Sequence, residues 1–296
     1  MNILIIIICF VALIAGSYMD LKKREVADWL NFSLIISGIL INSIFWVYSR
    51  NLNIILFSIS GLIFSIILGY IMFYTGQWGG GDSKMMMGLG AMIGLSFGLD
   101  SFLIKFYINL LFAGSIYGLA WIAYLTIKHR KRLFIVYKNI SERKKIRKTK
   151  KIVSIIVLVL LLILFFIPEN YVDISSKLIF SAIMFFLYSF QFLWIFVKAI
   201  EKEAMIKKTD VDDLTEGDWI VKDVVVNKKT ICGPKDLGIE KYQIKKLKKL
   251  KQKGKIKHVL IKQGIPFIPS FLIAFSYTLI TKNYFFLDYL IQSQLF

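Results

Sequence analysis

Two carboxylates and a run of glycines are the residues in this chain best placed to do chemistry. Asp20 closes an apolar segment, and Asp82 follows Gly79, Gly80 and Gly81 and precedes Ser83 and Lys84. Ionisable groups at the edge of apolar spans are costly and by default functional candidates. Two carboxylates brought close cannot both ionise readily, so one keeps a proton while the other is charged. The charged member can take a proton from water, and the neutral member can give one to a carbonyl oxygen. Glycine has no Cβ, so a second chain can approach the backbone at Gly79–Gly81, and three glycines in succession disfavour helix. Each feature alone has a plainer reading. Asp82 stands where an N-cap would, before Met85-Met86-Met87, and Asp20 is a charge at a helix end beside Lys22, Lys23 and Arg24. The two acids together with the glycine run favour the chemical reading. Lys84 either pairs with Asp82 or marks the inner membrane face.

Composition sets where such a pair would sit. The 296 residues are 57% hydrophobic, with mean hydropathy +0.65. Apolar runs of about 18 residues or more recur, each long enough to cross a bilayer core. The chain reads as an all-α polytopic membrane helix bundle of about eight spans with a small α+β cytoplasmic domain. The net charge of +19 lies in segments that flank the spans, which membrane topology explains without nucleic acid. Cys9 and Cys232 are far apart and form no CxxC pair, so neither a zinc ribbon nor a disulfide framework is indicated. His129 and His258 lack companion ligands and read as solvated; the methionine run reads as helix packing. No metal and no cofactor is expected. The N-terminus has no basic region before its apolar run, so no cleaved signal peptide is read.

The expected spans cover about 2–19, 29–48, 54–74, 85–99, 102–127, 152–167, 178–197 and 268–289. Gly88, Gly90, Gly94 and Gly98 in the fourth are small residues of the kind that let helices pack closely in lipid. Four regions follow: 1–127 with both aspartates, 128–200 with a basic cytoplasmic loop and two further spans, 201–263 as a small soluble domain, and 264–296 as the final span. In the soluble region, 219–226 reads as a strand, Asn227-Lys228-Lys229 as a turn and Thr230-Ile231-Cys232 as its return. Residues 240–252 read as a lysine-rich helix stopped by Gly254, and 256–261 alternates again. So small a core is expected to lean on the membrane or the bundle.

The motifs also resemble a family. Tyr18-Met19-Asp20-Leu21-Lys22-Lys23-Arg24-Glu25-Val26 and Gly79-Gly80-Gly81-Asp82-Ser83-Lys84 are similar to the two motifs of the GxGD-type aspartic peptidases, in the branch that processes type IV prepilins and archaeal preflagellins. Gly217-Asp218-Trp219-Ile220 and Lys262-Gln263-Gly264-Ile265-Pro266-Phe267-Ile268-Pro269 resemble the C-terminal part of archaeal preflagellin peptidases. The resemblance covers about residues 1–100 and 200–290. It implies that Asp20 and Asp82 are the catalytic pair; Gly79, Gly80, Gly81 and Lys84 are read from the residues as substrate-binding or loop positions. It also implies that the protein removes a short basic leader from preflagellin or pilin-like precursors at the cytoplasmic face, typically after a glycine. Val26-Ala27 departs from the Ile-Pro often found after the first aspartate. Residues 102–175 look like extra length, and the cysteine-rich domain of methylating relatives is absent.

Two other classes compete. A proton- or cation-coupled transporter would use the same aspartates, but transport sites lie near the midplane and these acids lie at one face. A scaffold with basic loops, binding anionic lipid or an acidic partner, leaves the glycine–aspartate run unexplained. The lysine and arginine asymmetry places both termini outside and Asp20, Asp82 and the soluble domain on the cytoplasmic side of the cell membrane. Cysteine labelling from outside should therefore reach a probe near Arg50 or Glu169 and miss one near Lys145; strong outside labelling at 145 would overturn this orientation.

Overall fold

The computed structural model describes residues 2–284 except 97, 99, 227, 228, 237 and 282. The end of the expected last span, with Asp288, lies outside the described residues. Among the described residues six helices, not the eight expected, are long and apolar enough to cross a membrane, which makes this a multi-pass membrane protein. They are α1 (Ile3–Lys23), α2 (Asp28–Ser49), α3 (Asn53–Tyr74), α5 (Phe102–Ser141), α6 (Lys144–Phe166) and α7 (Ile174–Ile200). Two shorter helices, α4 (Gly80–Ile93) and α9 (Ile268–Thr281), join them. The chain divides into two compact units, Met1–Trp121 with Lys208–Phe296, and Ile122–Lys207.

In the first unit α4 packs chiefly against α2 and α3, and α1 against α9. Small residues make the α4 contacts possible. A Cβ on Gly88 would stand 2.8 Å from Leu34 Cδ2, and one on Gly38 would stand 2.7 Å from the Ala91 carbonyl carbon. Met85, Met86, Leu89 and Met92 are all buried in the core, so the methionine run packs helices as expected.

The expected fourth span is shorter than read. Helix α4 has 14 residues, about 21 Å at ~1.5 Å per residue, against about 30 Å of hydrocarbon. It stops at Gly94, whose φ is +77°, a left-handed geometry that favours glycine. A helix ending inside the bundle must have its last carbonyls satisfied there. Asn42 Nδ2 donates to the Ala91 and Met92 carbonyls at 3.2 Å each, and Ser58 Oγ to Ala91 at 2.6 Å. Beyond the helix, Leu95 N–H donates to the Phe57 carbonyl and Ser60 Oγ to the Leu95 carbonyl.

The second unit also differs from expectation. The basic stretch after residue 128 is helix, not loop: α5 continues to Ser141 through a break at His129 (φ −109°, ψ 16°), and α6 begins at Lys144. Lysine and arginine are good helix formers, so the end of the apolar run is not the end of the helix. His129 is half-buried at this kink, not solvated. Helix α6 has no buried residue, as suits a span whose apolar surface faces lipid.

The soluble region holds β1 (Ile206–Asp210), β2 (Trp219–Ile220), β3 (Val224–Val226), β4 (Lys229–Cys232), α8 (Lys241–Gln252) and β5 (His258–Lys262). The sheet order is β1-β5-β2, with β3-β4 a separate hairpin. Strand β2 runs antiparallel to β5 with Ile220 opposite Ile261. The expected strand over 219–226 is thus two short ones, and β1 replaces what reads as a polar stretch. Ile244 and Leu247 of α8, with Val259 and Ile261 of β5, form its core. As expected, the domain leans on the bundle: the Trp219 ring lies over the turn at Gly76 after α3, 2.9 Å from where a Cβ would be.

A Gly90→Val substitution drives a side chain into Ser65 and the Gly61 carbonyl. It should destabilise the detergent-solubilised protein by about 1–3 kcal/mol. Gly118, with open space around it, should accept alanine with no loss in thermal unfolding.

Candidate active site

Asp20 lies in the last turn of α1 and is 5% exposed. Its Oδ2 accepts the Ile268 N–H at 2.9 Å, the first amide of α9. A helix N-terminus presents unpaired N–H groups and partial positive charge, so it holds a carboxylate well. This partner, 248 residues away in sequence, is invisible to motif reading because a backbone amide has no residue signature.

Asp82 lies in the first turn of α4 and is half-buried. It is not the N-cap, as the sequence suggests. Gly79 takes that position with extended backbone, and Asp82 Oδ2 reaches back to accept the Gly79 N–H at 3.1 Å. Gly80 and Gly81, expected in a loop, open the helix instead. None of the three glycines has positive φ, and a Cβ on any of them would find its nearest neighbour no closer than 3.4 Å. Neither backbone strain nor crowding demands glycine here.

The two carboxylates come together: Asp20 and Asp82 lie within range for their charges to repel. Asp82 sits in the first turn of α4 and Asp20 faces the N-terminus of α9; each accepts a backbone N–H. Trp78, which the sequence reading passed over, anchors the turn before the glycines. It is 9% exposed, and its ring lies 5.6 Å from Phe267 and 5.4 Å from Phe271. The α9 N-terminus that binds Asp20 thus also holds the turn leading to Asp82.

Lys84 does not pair with Asp82. Its Nζ pairs with Asp28 at 2.5 Å and lies 5.6 Å from the Phe32 ring centre. That pair is half exposed and contributes at most about 1 kcal/mol. Among the described residues no cluster of histidine, cysteine or carboxylate side chains could hold a metal ion. Cys9 and Cys232 are free and buried.

Near the site, Glu25 faces Asp218, Asp28 and Glu216. Partial burial first, then these like charges, push its carboxyl above the usual carboxylate range. A carboxyl held high in the folded state keeps its proton longer than in the unfolded chain. Folding stability therefore falls as pH rises through the interval between the two values. Glu25→Gln should remove that slope: the variant should melt slightly higher than wild type at neutral pH, within about 0.5 kcal/mol, and the gap should close in acid.

Comparison with known proteins bears on the same segment. The type IV leader peptidase family matches residues 7–123. A preflagellin peptidase of Methanocaldococcus jannaschii is 40% identical over 83 residues, 28% of this chain and 35% of the relative. One of Methanococcus maripaludis is 41% identical over 91 residues, 29% of this chain and 37% of the relative. One of Methanococcus voltae is 30% identical over 151 residues, 49% of this chain and 62% of the relative. The chain thus spans between about a third and three fifths of the curated relatives it matches. No solved structure is significantly similar to it. The segment that this family matches, residues 7–123, carries both aspartates.

Proposed function

We propose that the chain is a membrane-embedded aspartic endopeptidase that removes the short basic leader from preflagellin or type IV prepilin-like precursors. The observation that carries this reading is the meeting of Asp20 and Asp82, from separate helices, inside the segment matched by the leader peptidase family. The relatives named preflagellin peptidase support the substrate class.

The chemistry follows from a pair that shares one proton. The charged carboxylate takes a proton from water as the oxygen attacks the scissile carbonyl carbon. The neutral carboxyl gives its proton to the carbonyl oxygen, and a tetrahedral diol forms. In collapse the roles reverse. The carboxyl protonated in the first step gives that proton to the departing nitrogen, the other carboxylate takes one from the diol, and the C–N bond breaks. The pair ends with one proton, as it began.

Gly79–Gly81 would serve the substrate. With no strain or crowding to explain three glycines, and with helix propensity against them, their use is to leave the backbone beside Asp82 open. An extended segment around a cleavage-site glycine could then lie against it. The basic flanks of the spans support a cytoplasmic position for this face, where a basic leader would stay while the substrate's apolar helix remains in lipid. Membrane lipid and the precursor are the partners in this reading, and nucleic acid is not. Asp20 lies in the last turn of a helix long enough to cross the bilayer, which argues against a midplane transport site.

The test is cleavage of a preflagellin by membranes carrying matched amounts of each variant. Asp20→Asn and Asp82→Asn should each slow cleavage by on the order of a hundredfold or more. Glu25→Gln should cut at near the wild-type rate. Normal cutting by either asparagine variant would overturn the dyad.

A further inference from the structure

We infer that Arg24 is a positioning residue for this reaction, acting through the segment that supplies the Asp20 hydrogen bond; the inference rests on the aspartic reading proposed above. Arg24 caps α1 in a left-handed conformation, φ +60°, with its N–H donating to the Asp20 carbonyl. A non-glycine side chain pays strain there, and nothing in the cap itself needs a guanidinium. The guanidinium leaves the helix end and donates from Nη1 to the Gly264 carbonyl at 2.7 Å. It also lies over the Trp121 ring, 4.9 Å from its centre.

Gly264 lies in the irregular stretch, residues 263–267, between β5 and α9. Ile268 then delivers its N–H to Asp20. Arg24 therefore grips the strand of backbone four residues before the amide that orients Asp20, while its own backbone is fixed by Asp20. The loop of contacts is closed: Asp20 carbonyl to Arg24 N–H, Arg24 guanidinium to Gly264, and Ile268 N–H to the Asp20 carboxylate. A planar, always-charged group can bond a carbonyl and stack on an indole at once; an ammonium cannot do both in the same way. Misplacing a reacting group by about an ångström can cost on the order of a hundredfold in rate, so the grip bears on turnover more than on substrate binding.

The test combines two readouts on Arg24→Ala, Arg24→Lys and, as a neighbouring control, Lys23→Ala. Alanine and lysine meet the same left-handed backbone cost as arginine, so the series isolates the guanidinium. Hydrogen exchange, read in the detergent-solubilised protein, should rise in the 264–268 peptide of Arg24→Ala and stay unchanged in α4. Preflagellin cleavage should show kcat lowered on the order of tenfold or more with KM nearly unchanged, Arg24→Lys intermediate, and Lys23→Ala like wild type. Unchanged exchange at 264–268 would overturn the grip. Raised exchange with normal kcat would overturn the positioning role. If Asp20→Asn itself cuts normally, the catalytic reading has failed and this role falls with it, whereas a defect confined to the Arg24 variants' exchange reports on the grip alone.

Discussion

The hydrogen bond from the Ile268 amide to the Asp20 carboxylate is the constraint that organises the first unit. A buried carboxylate needs a partner, and here the partner comes from the opposite end of the sequence. Helix α9 must therefore be seated on α1 before Asp20 has its orientation. Phe271 of the same helix and Phe267 just before it are the rings against which Trp78 packs, so one segment sets both approaches to the site. Asn109 of α5 adds a further tie, donating to Thr278 Oγ1 at 2.9 Å.

Helix α4 meets its constraint differently. It is wedged between α2 and α3 by glycine contacts at Gly38, Gly61, Gly88 and Gly90, where helices without side chains in the way can share backbone surface. Tyr107 completes the enclosure, its hydroxyl 2.5 Å from Ser65 Oγ and 3.3 Å from the Met86 carbonyl. The Ser65 and Tyr107 hydroxyls each also reach a backbone carbonyl, of Gly61 and Met86, as burial in an apolar medium favours.

Much of this was legible in the residues. Asp20 and Asp82 stand out because acids at the ends of apolar runs are rare, and the glycines of α4 announce close packing. The α8 helix followed from its lysine-rich run and the stop at Gly254. What could not be read has physical causes. The Ile268 amide and the carbonyls capped by Asn42 and Ser58 are backbone atoms, identical at every residue. The continuation of α5 past residue 128 was hidden because hydropathy reports the lipid boundary while helix propensity continues through lysine and arginine. Asp82 was displaced from the N-cap by three positions because its side chain reaches back to a glycine that has none of its own. Strand β1, with two lysines in five residues, lacks the alternation that marks a half-buried strand.

The side-chain caps at the far end of α4 have a geometric consequence for the near end. Asn42 and Ser58 hold the Ala91 carbonyl, and Ala91 lies nine residues beyond Asp82, about 14 Å at ~1.5 Å of rise per residue. A rigid helix pinned at one end cannot slide along its neighbours. The height of the Asp82 carboxylate in the bundle is therefore a length counted out in helical turns from a fixed stop. Whatever lies beside that carboxylate is met at a depth that Asn42 and Ser58 have already gauged.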